Sequence, residues 1–304
     1  MEKIRIGTRE SQLAVWQATL VKDLLLQHGY DSELVYIKSE GDTDLQTPLY
    51  EIGVQGIFTR ALDIALLNGD VDIAVHSMKD VPTQMAKRIV QAAVLPRASY
   101  KDLLVPRPGE LFSDDNRAGA IATSSIRRKA QWLNRYPNDR IENLRGNVNT
   151  RLRKVEESNW DGAIFAAAGL ERIGLRPDNA VELDWMLPAP AQGAITVVCR
   201  EGDNIAIEAC GNFHNVETAL CTAIERDFLR ALLGGCSTPI SALAKVEDGL
   251  VVFEGNILSK DGRHKKEIRK KIALDGATDL GRLAAEELQQ DGGQQILEGI
   301  RNDQ

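Results

Sequence analysis

A chain of 304 residues is too long for one small core and calls for two or three domains. At 43% hydrophobic and 27% charged residues it has the composition of a packed globular protein, which excludes a disordered chain. Its net charge of −7, from 37 basic and 44 acidic residues, argues against a general nucleic-acid binder, and no uncharged apolar run reaches membrane-spanning length. The four cysteines (Cys199, Cys210, Cys221, Cys236) include no close pair at metal spacing, and so large a chain needs no disulfides. With a strand pattern directly after Met1 and no apolar signal region, a reduced, cytoplasmic protein is expected.

Lys3 to Gly7 alternates like a short strand. Ser11 stands where an N-cap would, ahead of a helix carrying Leu13, Trp16, Leu20 and Leu24 and stopped at Gly29. Glu33 to Lys38 reads as the next strand. Ile57 to Leu67 follows as an amphipathic helix with Phe58, Leu62, Ala65 and Leu66 on its apolar side. Val71 to Val75 is then a buried strand running into His76-Ser77-Met78-Lys79-Asp80. Strands alternating with helices predict a mainly parallel sheet covered by helices. Arg97 to Arg107, with Leu103-Leu104-Val105 between prolines, is the candidate crossover, and Pro108-Gly109 marks a break.

A second α/β unit starts at Ala120, where a strand through Thr123-Ser124-Ser125 feeds a helix near Ile126. Ile141 to Leu144 is its next strand, Val148 to Glu157 a helix, and Gly162 to Ala166 a strand before a helix around Leu170 to Ile173. The proline-broken passage Leu187 to Ala194 would return the chain to the first unit through a strand at Ile195 to Cys199. A long helix from Val216 to Leu233, with Ala219, Ala223, Phe228 and Leu232, leads into Gly234-Gly235-Cys236. Strands near 243–246, 250–258 and 268–273 follow, with turns at Asp248-Gly249 and Asp261-Gly262, and Leu280 to Gln290 closes as a helix. The pattern predicts an α/β protein of three domains: 1–97 with 194–214, then 98–193, then a small α+β domain over 215–304.

Arginines gather where strands give way to helices: Arg9, Arg127, Arg128, Arg145, Arg151 and Arg172. Open α/β sheets bind ligands beyond the carboxyl ends of their strands, where helix N-termini attract anions and Arg forks hold carboxylates. Thr123, Ser124 and Ser125 add hydroxyls beside the arginine pair. One cleft lined this way would suit a ligand with many carboxylates, although any single arginine could be a solvated surface charge. Asp80 with Lys79 at a strand end could bind a heterocycle's N–H groups or move a proton, or could simply close a local turn before Pro82. His76 reads as a packed strand residue and no metal is expected. Cys236, on a Gly-Gly turn, is either a small buried thiol or a sulfur presented for attachment.

Five stretches in order are similar to the porphobilinogen deaminase (hydroxymethylbilane synthase) family: 7–14 (Gly7-Thr8-Arg9-Glu10-Ser11-Gln12-Leu13-Ala14), 74–82 around Lys79-Asp80, Thr123-Ser124-Ser125-Ile126-Arg127-Arg128, 144–152 from Leu144-Arg145-Gly146 to Arg151-Leu152, and Gly234-Gly235-Cys236. The resemblance covers nearly the whole chain. It implies two hinged domains like those of type II periplasmic binding proteins, plus a small third one. It implies a transferase that condenses four porphobilinogen units head to tail with loss of ammonia, then releases hydroxymethylbilane by hydrolysis. The primer would be one dipyrromethane cofactor per chain, in thioether linkage to Cys236. Asp80 falls on the family's catalytic carboxylate, which assists departure of the amino group and stabilises the azafulvenium cation. Cofactor contacts fall on Lys79, Asp80, Thr123, Ser125, Arg127, Arg128 and Arg151. Substrate contacts fall on Arg9, Ser11, Arg145, Arg151, Arg172 and the cleft residue Gln192. No nucleic acid, membrane or second subunit is expected as a partner. The family's Gly-Lys-Gly-Leu-Phe followed by Lys-Glu is replaced by Gln55-Gly56-Ile57-Phe58-Thr59-Arg60-Ala61, a segment expected to act as a lid. The competing expectation is a two-lobed binding protein that carries a small anionic ligand without chemistry, and such a protein would need neither Cys236 nor Asp80.

Overall fold

The structure is a computed structural model describing residues 3–39, 56, 58–109, 118–232 and 238–302. The first sheet begins with β1 (Ile4–Thr8), α1 (Gln12–Gln27), β2 (Ser32–Tyr36), α2 (Arg60–Asn68), β3 (Ile73–Ser77) and β4 (Ile89–Val94). β1 lies parallel to β2 and β3. Ser11 caps α1 by accepting the Ala14 N–H. The helix buries Ala14, Gln17, Ala18, Val21 and Leu25, one step round from the stripe expected at Leu13, Trp16, Leu20 and Leu24. Small Ala14 and Ala18 let it lie close to the sheet, so Leu20 and Leu24 flank the contact and Trp16 remains 37% exposed. α2 starts at Arg60, which leaves Phe58 outside the helix instead of on its apolar side, and β4 had no counterpart in the sequence pattern.

The chain then crosses to a second sheet: β5 (Asp102–Pro106), β6 (Ala120–Ala122), α3 (Ile126–Arg135), β7 (Arg140–Glu142), α4 (Val148–Glu157), β8 (Gly162–Ala166), α5 (Ala167–Glu171) and β9 (Val181–Glu182). The expected crossover thus contains a strand, β5, buried along its length and antiparallel to both β8 and β9. β10 (Ile195–Arg200) returns to the first sheet and wedges between β3 and β4, antiparallel to both, with α6 (Asn204–Gly211) after it. The strand orders are β2-β1-β3-β10-β4 and β7-β6-β8-β5-β9. Each sheet therefore holds, in its fourth place, the first strand made after the chain changes sheets. This is the α/β class expected, built as two five-stranded mixed sheets.

α7 (Val216–Ala231), the antiparallel meander β11 (Ile240–Glu247), β12 (Leu250–Leu258) and β13 (Lys265–Ala273), and α8 (Leu280–Leu288) form the small C-terminal α+β domain. Beyond α8 a π turn leads to α9 (Gln294–Asn302), so the closing helix is two helices. Phe228 of α7 packs edge-on to Phe253 of β12 in its core. α7 buries Cys221, Ile224, Glu225 and Phe228 and leaves Ala223 exposed on its other side.

Candidate functional site

A cleft of about 680 Å³ opens where the carboxyl ends of the two sheets' strands converge with the C-terminal domain. Arg9 follows β1; Lys79 and Asp80 form a 3-10 turn after β3; Thr123 and Ser125 follow β6; Arg145 lies beyond β7; and Arg172 stands after α5. Ser11, Ser125 and Asn147 cap α1, α3 and α4 there, each accepting an N–H of the helix it starts. The helices thus aim their positive ends at the cleft. Among the residues proposed from sequence, Arg9, Ser11, Lys79, Asp80, Thr123, Ser125, Arg127, Arg128, Arg145, Arg151, Arg172 and Gln192 all line this cavity. Cys236 lies outside the described residues, as does Gln55; Thr238 and Ile240, just past the cysteine, are on the wall.

The arginine pair is held from behind. Asp102, the first residue of β5, is fully buried; its Oδ2 accepts from Arg127 Nη2 at 2.7 Å, and its Oδ1 from Arg128 Nη2 at 2.7 Å and Nε at 3.1 Å. Burial pushes this carboxyl up, but the two guanidiniums outweigh it and hold the group well below the usual carboxylate range. Arg127 also donates to Leu187 O at 2.7 Å, and Arg128 to Ile164 O at 2.8 Å. Gln192 Nε2 donates to Asp102 Oδ1 at 3.0 Å and to Tyr100 O at 2.7 Å, while its Oε1 accepts from Lys79 Nζ at 3.3 Å. One carboxylate therefore organises three of the proposed ligand-binding residues. The sequence offered a single hint of it: an acidic residue opening the apolar run Leu103-Leu104-Val105, whose charge would need a partner inside.

The hydroxyls divide. Ser124 is spent on the scaffold, donating to Leu144 O at 2.6 Å and accepting from Leu144 N at 3.0 Å. Thr123 Oγ1 accepts the Ser125 N–H at 3.2 Å, which leaves its own O–H for the cleft. Arg9 stacks over Phe58 at 4.8 Å; Arg172 stacks over Trp16 at 5.9 Å and donates to Gly193 O at 2.6 Å. Arg151 Nε donates to Gly146 O at 2.7 Å. His76 is buried in β3 and does not line the cleft; burial, then Arg9, push it down to about 3, so it is neutral.

The charge balance states what would fit. Burial, then Arg128, push the half-buried Lys79 down to about 8. Burial, then Arg128 and Arg145, push Arg151 down to about 10, and burial alone presses hardest on Arg127. Arg127 Nε is buried with no hydrogen-bond partner. These cations disfavour one another, and Asp102 is already committed. A group bearing several carboxylates would supply the missing acceptors and the missing negative charge, so the donor set fits a pyrrole chain carrying acid side chains.

Comparison with known proteins agrees with that chemistry. The family model described as "Porphobilinogen deaminase, dipyromethane cofactor binding domain" matches residues 4–208, and "Porphobilinogen deaminase, C-terminal domain" matches 219–290. The porphobilinogen deaminase of Trichlorobacter lovleyi is 39% identical over 304 residues, covering 98% of this chain and 97% of its own. That of Syntrophotalea carbinolica is 42% identical over 263 residues, covering 85% and 84%. The chloroplastic enzyme of Pisum sativum is 40% identical over 297 residues, covering 94% and 80%. An ancestral cationic amino acid solute-binding protein aligns loosely, with 14% identity over 69% of this chain and 87% of its own at a TM-score of 0.42. The chain belongs to the porphobilinogen deaminase (hydroxymethylbilane synthase) family, transferases that assemble a linear tetrapyrrole from porphobilinogen on a dipyrromethane cofactor.

Proposed function

We propose that this cleft is where the chain performs the family's condensation, with Asp80 as the catalytic carboxylate and Cys236 as the thioether anchor of the cofactor. The observation that carries the proposal is the convergence of Asp80, Lys79 and the arginines on one cavity whose wall includes Thr238, close after Cys236 in the sequence. When bound, the dipyrromethane supplies the nucleophilic ring carbon. Lys79, Thr123, Ser125, Arg127, Arg128 and Arg151 bind its carboxylates and fix its orientation. Arg9, Ser11, Arg145 and Arg172, with Arg151, receive the acetate and propionate of the incoming porphobilinogen. Gln192 holds Lys79 in place from the wall. Asp80, at the end of β3, accepts the pyrrole N–H of the substrate, assists departure of its amino group and opposes the positive charge that develops on the ring. The carboxylate is worth most in this position because the surrounding cations are already turned toward substrate acids. A binding protein without chemistry would have no use for that placement.

The same proposal takes the chain to act as a monomer in the cytoplasm, in units spanning 1–97 with 194–214, 98–193 and 215–304. Intact-protein mass spectrometry of the purified chain should exceed the sequence mass by one dipyrromethane, and peptide mapping should put the adduct on Cys236. An active protein of unmodified mass, or an adduct on another residue, would remove Cys236 from this role.

A further inference from the structure

Lys79 and Asp80 sit on a turn that α7 grips from two sides. Below, Met78 is buried with Val94, Ala191 and Ala194, and Ala219 of α7 packs against that cluster. Above, the Arg226 guanidinium donates from Nη1 to Val81 O at 2.8 Å and Met78 O at 3.3 Å, and from Nη2 to Pro82 O at 2.5 Å. Ala219 and Arg226 are seven residues apart, on one face of α7. A planar fork spanning three carbonyls of one turn fixes its tilt, which a single bond could not do. α7 then ends at Ala231, and Gly234-Gly235-Cys236 follows shortly after in the sequence.

We propose that Arg226 is a positioning residue for the reaction: it aims the Lys79-Asp80 turn from the same helix that leads to the cofactor anchor. This rests on Asp80 being the catalytic carboxylate. Arg226 touches neither substrate nor cofactor in this role; what it does to Lys79 falls on cofactor loading, and its effect on turnover per loaded molecule passes through Asp80. Lysine at this position keeps the charge and loses the fork.

The test is a double-mutant cycle on Arg226→Lys and Asp80→Asn, with turnover counted per cofactor-loaded molecule by mass spectrometry, so that poorly folded or unloaded protein does not enter the rate. Arg226→Lys should lower kcat on the order of 100-fold, as misplacement of a reacting group by about 1 Å does, with KM within about threefold of the parent. In the Asp80→Asn background the same change should cost less than about threefold, because the group it aims is gone. Arg226→Gln, which loses charge and fork together, should follow the same pattern. If kcat per loaded molecule is unchanged while melting temperature or loading falls, Arg226 is a structural residue and the proposal is overturned. Losses that multiply in the double variant also overturn it and leave the role of Asp80 standing. Near-normal turnover of Asp80→Asn alone overturns both.

Discussion

Asp102 carries two guanidiniums and an amide on two oxygens, and what it leaves unpaired defines the cleft wall. Arg127 and Arg128 spend donors on it and are held against the cleft wall, while Lys79 stays depressed by burial even with Asp80 and Asp102 nearby. Burial and Arg128 hold Lys79 at about 8, below its usual 10.5. Between those values the unfolded chain binds the proton that the folded one has lost. The contribution of Lys79 to stability therefore rises with pH from about 8 to 10.5 and is flat below 8. In the cofactor-free form, Lys79→Met should abolish this rise. The melting temperature of the variant minus that of the parent should be largest near pH 7 and shrink toward pH 10.5. A difference constant across that range would mean that Lys79 titrates as in a free peptide. The arginines were legible in sequence only as a group, because six of them recur at or near strand-to-helix steps although any one alone could be a surface charge. Asp102 was not, because its meaning depends on β5 lying antiparallel beside β8, which places its carboxylate behind α3.

At the scale of elements, the two chain crossings touch each other. Gly193 O accepts the Ala98 N–H at 3.1 Å and the Arg172 guanidinium at 2.6 Å, so the outgoing and returning segments are stitched beside a cleft arginine. Gly193 has φ +87, and a Cβ on it would stand 2.7 Å from both Ala98 O and Ser99 O. Backbone atoms on both sides leave nothing free to move aside. Gly193→Ala should cost at least about 1–3 kcal/mol from the backbone conformation alone, measurable as a lowered urea midpoint, with weakened substrate affinity because Arg172 loses its bracket. Unchanged stability would show that the crossings can separate. Most strands and helices were readable from their period, and α1 also from its cap at Ser11. β4 and β5 were not, since a short apolar run beside prolines reads equally as connection or strand until a partner strand is known. The stripe on α1 was misplaced by one position because helix packing there prefers the smaller face.

Across the molecule, the buried Glu225 of α7 ties the C-terminal domain to both connections between the two sheets. It accepts from Arg97 Nη1 at 2.5 Å and Nη2 at 3.1 Å, from the Ala191 N–H at 2.6 Å and from the Ala244 N–H of β11 at 2.7 Å. Ala191 is held at φ +62, a conformation alanine keeps only when its surroundings impose it. Glu225→Gln leaves the Arg97 cation without its counter-charge, a change expected to cost about 3–5 kcal/mol. Urea unfolding should then divide into two transitions, with the C-terminal domain released first. One unshifted transition would mean that the apolar contacts suffice.

The strand exchange between the sheets has a consequence for synthesis. β3 and β4 both pair with β10, so the first sheet has a vacancy at its fourth place until residues 195–200 have left the ribosome. The second sheet, by contrast, receives β5 before any of its other strands are made. The amino-terminal half of this enzyme must therefore wait, unfinished, for the middle of the chain to be completed, and the carbonyls and amides along β3 and β4 are exposed to wrong partners during that interval. A chain cut just before β10 keeps all five strands of the second sheet but leaves the first without its fourth, although every proposed substrate-binding residue lies upstream of the cut.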